Sequence, residues 1–161
     1  MTGAEEREGR DPPAPRPALT RDDVGFLLAK AMQRWNELLA SRFAGAGYTD
    51  VRPSYGSVLL PLYEQDGLRI GELGRRARLS KQTMTELVRR LERDGLVERR
   101  PDPEDARASL VSLTPRSRAF EPVAAATLSR LDELVRERLG SSRVDELKDA
   151  LRQLIELEPP A

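Results

Sequence analysis

The sequence contains neither cysteine nor histidine. Without cysteine there is no disulfide framework, no thiolate metal site and no thiol to oxidise. Without histidine the commonest transition-metal ligand, the commonest general base and the side chain that titrates nearest neutrality are all missing. Triad and zinc mechanisms find no residues from which to be assembled, so an enzyme is not expected and no cofactor or metal is implied. Long apolar runs are lacking too: no segment approaches the roughly 18 apolar residues of a membrane span. The first 18 residues carry acids and prolines where a signal peptide would carry an apolar core. The expectation is a soluble, cytoplasmic protein, and 161 residues suit one domain with a sizeable core.

The formal net charge is zero, but its distribution is uneven. Residues 69–118 hold 13 basic and 8 acidic side chains, whereas residues 1–68 hold 8 and 10 and residues 119–161 hold 6 and 9. A basic middle between acidic flanks is what a phosphate-facing surface on an otherwise acidic molecule requires.

Residues 1–18, with Pro12, Pro13, Pro15 and Pro17, have little to bury and predict a disordered tail. Thr20 and Asp23 form a capping pattern, with Leu19 and Val24 as its hydrophobic staple, so a helix is expected from Arg21. Val24, Leu27, Leu28, Ala31, Trp35, Leu38 and Leu39 keep helical spacing until Gly45 and Gly47. A second helix opens at Arg52 and Pro53 with Tyr55, Val58, Leu59 and Leu62 as its apolar face. Pro61 predicts a kink or an early end there. Thr114 and Pro115 start a long helix that Gly140 stops, with a bend expected at Pro122. Ser142 with Asp145 predicts the cap of a last helix running to Pro159.

Between these helices lies the organising stretch, Arg69 to Thr114. A short helix, about Gly71 to Ala77, places Leu73 in the core, and Gly74 permits a close helix crossing. After a turn at Arg78 and Leu79, Ser80 caps a helix whose Met84, Leu87, Val88 and Leu91 form a single stripe, ended at Gly95. Opposite lie Gln82, Glu86, Arg89 and Arg93, with Thr85 and Arg90 at the edges. Those types can read base edges in a major groove: arginine meets guanine, glutamine meets adenine, and a carboxylate meets the cytosine amino group. The same composition also suits a solvated face with ion pairs such as Glu86 to Arg90. Leu96–Arg100 and Ser109–Leu113 predict two antiparallel strands with Val97, Val111 and Leu113 inward and a tip from Pro101 to Arg107. In this wing Asp105 can brace Arg107 by a bidentate ion pair and aim it at a minor groove. A Pro/Asp-rich surface hairpin is the plainer alternative.

The run IGELGRRARLSKQTMTELVRRLERDGLVERRPDPEDARASLVSLT resembles the MarR family of winged helix-turn-helix bacterial transcription regulators. Leu73, Ser80, Leu91, Gly95, Leu96, Val97, Arg99, Pro103, Asp105, Arg107, Leu113 and Thr114 sit where the family pattern expects them. Gly74 stands where alanine is usual and Ser117 where glycine is usual. The absence of cysteine rules out the thiol-oxidation mode of some relatives. The resemblance implies a mainly α fold of the α+β winged-helix type, with six helices, a two- to three-stranded wing, and an obligate-type homodimer formed through the terminal helices. The implied organisation is a first dimerisation helix in residues 19–50, a DNA-binding lobe in 51–114 and dimerisation helices in 115–161.

On this resemblance the protein binds double-stranded DNA at a near-palindromic operator as a ligand-responsive repressor. Gln82, Glu86 and Arg89 would read bases, Ser80, Thr83, Thr85 and Arg90 would hold phosphates, and Arg107 would enter the minor groove. A small aromatic or anionic effector would be lined by Arg34, Trp35, Arg52 and Tyr55, although Trp35 and Tyr55 read better as core. The competing reading is a winged-helix protein-interaction module without DNA binding.

Overall fold

The structure is a computed structural model, and it describes residues 20–157. The expected tail, the Leu19 half of the staple and the Pro159 stop lie outside the described residues. The chain divides into two units between Arg34 and Trp35, and helix α1 (Val24–Gly45) contributes to both.

In the first unit the cap is three residues later than the sequence predicts. The Asp23 carboxylate accepts from the Gly25 and Phe26 amides at 2.8 and 3.3 Å, while the Thr20 hydroxyl only closes a turn on the Asp22 amide. A carboxylate is a stronger cap than threonine and its charge suits the helix N-terminus, so α1 begins at Val24 and not at Arg21. Val24, Leu27, Leu28 and Met32 all remain exposed on this stretch.

The second unit holds the hydrophobic core. Leu39 and Phe43 of α1 reach it, and Phe43 meets Phe120 edge to face with ring centroids 4.9 Å apart. A single 3-10 turn (Pro53–Tyr55) leads into α2 (Gly56–Glu64), which buries Val58, Leu59 and Leu62. Pro61 does not end α2, which runs on to Glu64. The proline carbonyl still accepts from the Gln65 amide at 3.0 Å, so the ring costs the helix only its own missing donor.

Strand β1 (Leu68–Arg69) is followed by α3 (Ile70–Arg76) and α4 (Lys81–Arg93). The Gly74 prediction holds: a Cβ at Gly74 would lie 3.0 Å from the Leu79 carbonyl oxygen and 3.8 Å from the Met84 Cβ. The reversal between the helices is taken by Arg78 at φ 52°, the only non-glycine residue with positive φ among those described. Its guanidinium donates to the Ile155 carbonyl at 2.7 Å and to Glu156 at 2.5 Å.

Strands β2 (Val97–Asp102) and β3 (Asp105–Leu113) form a longer hairpin than predicted, with only Pro103 and Glu104 at its tip. β1 pairs with the other side of β3, giving an antiparallel sheet of order β1-β3-β2. Pro101 is tolerated inside β2 because that strand is an edge and its register shifts beside the proline. Val97, Val111 and Leu113 face inward as the alternation requires.

Helix α5 (Pro115–Leu139) starts where predicted, with the Thr114 hydroxyl accepting from the Ser117 amide. It passes through Pro122 without a break in its assigned length. Helix α6 (Ser141–Ile155) differs from the capping prediction: Ser142 donates to Glu146 and Asp145 pairs with Arg136. Gly140 makes the reversal at φ 86°, which lets α6 begin immediately after it with no side-chain cap.

The α3–α4 crossing leaves no room for a branched side chain at position 74. Gly74→Val is expected to lower unfolding stability by about 1–3 kcal/mol, read by urea denaturation, because the added atoms meet backbone on one side and Met84 on the other. A variant as stable as the parent would contradict the close crossing.

Candidate nucleic-acid interface

Helix α4 is held by one face and presents the other. Met84, Val88 and Leu91 are completely buried and Leu87 is half-buried, so the stripe read from the sequence is the docking face. Ser80 caps the helix as predicted, its hydroxyl accepting from the Thr83 amide at 3.1 Å. At the other end the Tyr55 hydroxyl donates to the Asp94 carboxylate, and Arg116 donates to the Asp94 carbonyl and, at 2.6 Å, to Asp50. Two elements far apart in sequence thus grip the end of α4. Burial and the neighbouring Asp94 carboxylate both push the Tyr55 hydroxyl pKa up, so it remains a donor near neutrality. The Arg116 guanidinium in turn holds the Asp50 carboxyl below its ordinary value.

The outward face carries Gln82, Glu86, Arg89 and Arg90, all exposed. Among the described residues, none of these four side chains makes a hydrogen bond or ion pair, and the Glu86–Arg90 pair that the sequence allows is not formed. Of the expected phosphate-holding residues, Ser80 and Thr83 share a hydroxyl–hydroxyl contact of 2.8 Å at the start of the helix. Thr85 differs: it is half-buried and its hydroxyl donates back to the Lys81 carbonyl at 2.7 Å. That bond occupies the hydrogen a phosphate would need.

Lys81 was missed by sequence reasoning. It lies exposed at the first position of α4 and lines an open concavity of about 510 Å³ with Arg69, Ile70, Glu72 and Ser109, between α3 and the wing. Its signal was its place directly after the cap, but on a helical wheel it falls well away from the midline of the outward face.

In the wing, Arg107 is exposed on β3 and its guanidinium is unpaired among the described residues. Asp105 braces the backbone instead of the side chain: its carboxylate accepts from the Arg107 amide at 3.0 Å. An aspartate at a hairpin turn reaches the amide two residues on more readily than a long guanidinium, which is why the expected ion pair is replaced by this local bond. The charged brace of the wing is Asp102, a residue the sequence did not single out. It is buried and accepts from the Glu104 amide at 2.9 Å and from Arg69 Nε at 2.6 Å, with a second Arg69 nitrogen at 2.5 Å. The Glu104 amide first, and then the Arg69 guanidinium, hold the Asp102 carboxyl below its ordinary value.

Trp35 borders an open groove of about 510 Å³ with Leu128, Ser129, Asp132, Glu133 and Arg136. Tyr55 is almost wholly buried as the anchor of α4, and Arg52 is exposed just before the 3-10 turn. Arg34 is exposed on α1.

A short helix crossed closely by a capped, outward-facing helix and followed by a β-hairpin defines a winged helix-turn-helix protein. Residues 53–109 match the family model described as MarR family. HTH-type transcriptional regulator TtmR of Methylorubrum extorquens is 41% identical over 64 residues, covering 40% of this chain and 33% of that protein. The chain therefore aligns with only about a third of that curated relative's length. A probable transcriptional regulator from Pseudomonas aeruginosa superposes with a TM-score of 0.72 at 30% identity, over 83% of this chain and 97% of that one. The transcriptional repressor CouR, solved on a 23-mer DNA duplex, shares the fold with a TM-score of 0.72 at 24% identity, over 86% of this chain and 99% of its own. This chain belongs to the MarR family, and the relatives it matches are named as transcriptional regulators, not as enzymes.

The wing's acid sensitivity follows from Asp102. A carboxyl with a lowered native pKa contributes its full stability above the ordinary value of 3.8, and loses it as pH falls through the lowered native value. Thermal melts taken from neutral pH down into that range should therefore fall less steeply for Asp102→Asn than for the parent. Parallel curves would contradict the bracing role.

Proposed function

We propose that the protein is a sequence-specific, double-stranded DNA-binding transcriptional regulator that acts as a homodimeric repressor. The observation that carries this reading is the free polar face of α4 beside a wing with an unpaired arginine, both fixed to one core. Arg89 and Arg90 are cations with no partner among the described residues, so their charge is available to phosphates and guanine edges. Arg107 extends from a hairpin whose tip is braced by a buried carboxylate, as entry into a narrow minor groove requires. Ser80 and Thr83 lie at the helix start, where backbone amides also favour a phosphate.

The dimer reading rests on unpartnered apolar side chains. Val24, Leu27, Leu28 and Met32 on α1, and Leu147, Leu154 and Ile155 on α6, are too many to leave in water on a lone chain. A second copy with the same stripes is the economical cover, and a two-fold dimer would set two α4 helices about 34 Å apart on a near-palindromic operator. In this organisation residues 19–50 and 115–161 dimerise and residues 51–114 bind DNA.

Release by a small ligand belongs to the same reading. The Trp35 groove offers an aromatic face, but its Asp132 and Glu133 outnumber its single guanidinium, Arg136, which Asp132 and Asp145 already hold. That lining suits a neutral aromatic compound better than an anion.

Arg107→Ala should weaken binding to the DNA upstream of the protein's own gene by about 1–3 kcal/mol in a fluorescence-anisotropy titration. Unchanged affinity would refute the wing assignment. In sedimentation equilibrium the parent should be a dimer, and Leu154→Asp should shift it towards monomer by placing a charge in the shared stripe.

A further inference from the structure

Of the six carboxylates from Glu72 to Asp102, all but Glu86 hold a cation among the described residues. Glu72 pairs with Arg75 and Arg76, Glu92 with Arg99, Glu98 with Arg100, and Asp102 with Arg69. Asp94 lies 3.7 Å from Arg93 and takes the Tyr55 hydroxyl. Glu86 is the exception on α4. It is exposed, and Arg89 and Arg90, three and four residues on and within reach of an ordinary helical ion pair, do not take it.

Its position makes this exception consequential. With about 100° per residue, Gln82, Glu86, Arg89 and Arg93 share the outward face opposite the buried stripe, while Arg90 lies at its edge. The edge cation Arg90 is placed for a phosphate rail, and the outward face is what descends toward the base edges. A free carboxylate there meets a polyanion, which costs affinity for DNA in general. That cost is offset only where the groove floor offers a donor.

In the major groove the base-edge donors are the cytosine N4 and adenine N6 amino groups. Adenine sets its N7 lone pair beside N6, which repels the second carboxylate oxygen. Cytosine sets a neutral C5–H beside N4, so a carboxylate can approach it without that penalty.

We propose that Glu86 is a specificity-determining residue that accepts a hydrogen bond from the N4 amino group of one cytosine in each operator half-site, and that its charge suppresses binding to other sequences. The inference rests on the reading that α4 enters a DNA groove. The two fail separately in the following experiment.

Binding sites are selected from randomised duplex DNA with the full chain and with Glu86→Gln, and the winners are titrated at several salt concentrations. The parent should select cytosine at one position of each half-site, and replacing that cytosine should cost about tenfold in affinity. Glu86→Gln should lose the preference at that position alone, with less than a twofold penalty for the replacement, and should bind non-cognate DNA several-fold more tightly at low salt. A second arm replaces the cytosine by pyrimidin-2-one, which lacks the 4-amino group: the parent should lose about tenfold, and Glu86→Ala should be indifferent. Identical selected sites and ratios for parent and variant would overturn the proposal while leaving DNA binding intact, as would a parent that selects adenine there. A parent that binds no DNA at low salt would overturn the DNA-binding reading and this proposal with it.

Discussion

The arrangement depends on the burial of one face of α4. Met84, Val88 and Leu91 are fully enclosed by α2, α3 and the sheet, and burying side chains of this size is worth about 1.5–3 kcal/mol each. Rotating α4 by a single residue, about 100°, would carry these side chains toward water. The outward residues are therefore placed by what lies behind them. Gly74 allows α3 close enough to complete the enclosure, and the caps at Ser80 and Asp94 fix where the helix starts and stops. A face built this way is held without spending the side chains of Gln82, Glu86, Arg89 or Arg90 on holding it.

Charge is organised by the same logic. Zero net charge conceals a lobe in which most arginines are tied to carboxylates and a few are not. Exposed pairs such as Arg100 with Glu98 contribute only about 0–1 kcal/mol to stability. Their larger effect is to neutralise cations that lie off the binding face. Within residues 69–118 the cations left free among the described residues, Lys81, Arg89, Arg90 and Arg107, lie on α4 and the wing, so the electrostatic footprint is narrower than the basic composition of that stretch suggests. On the proposed reading, Glu86 in their midst adds discrimination to that attraction.

Much of this was legible in the sequence because it is local. Apolar spacing located all six helices, Ser80 and Thr114 announced their caps, and alternation assigned Val97, Val111 and Leu113 to the inside. What stayed illegible depends on partners distant in sequence or on competition between near neighbours. The hairpin is longer than read because Asp102 meets Arg69, 33 residues away, and tightens the tip. Tyr55 could not be recognised as the anchor of α4 without Asp94 beside it. Asp23 outcompetes Thr20, and the left-handed Gly140 removes the need for a cap at Ser142. At the interface, the wheel told which residues face outward, but not that Thr85 spends its hydroxyl on the Lys81 carbonyl or that Arg89 and Arg90 leave Glu86 alone.

The most direct measurement of whether α4 and the wing form a DNA interface is the salt dependence of binding by the full chain to duplex DNA from its own upstream region. Phosphate contacts release counterions, so log K should fall linearly with log salt, with a slope of about −0.9 for each phosphate neutralised. The chain has, among the described residues, the free cations to make several such contacts, and the account predicts a steep line. A flat response would contradict it and would favour a winged-helix module that binds another protein.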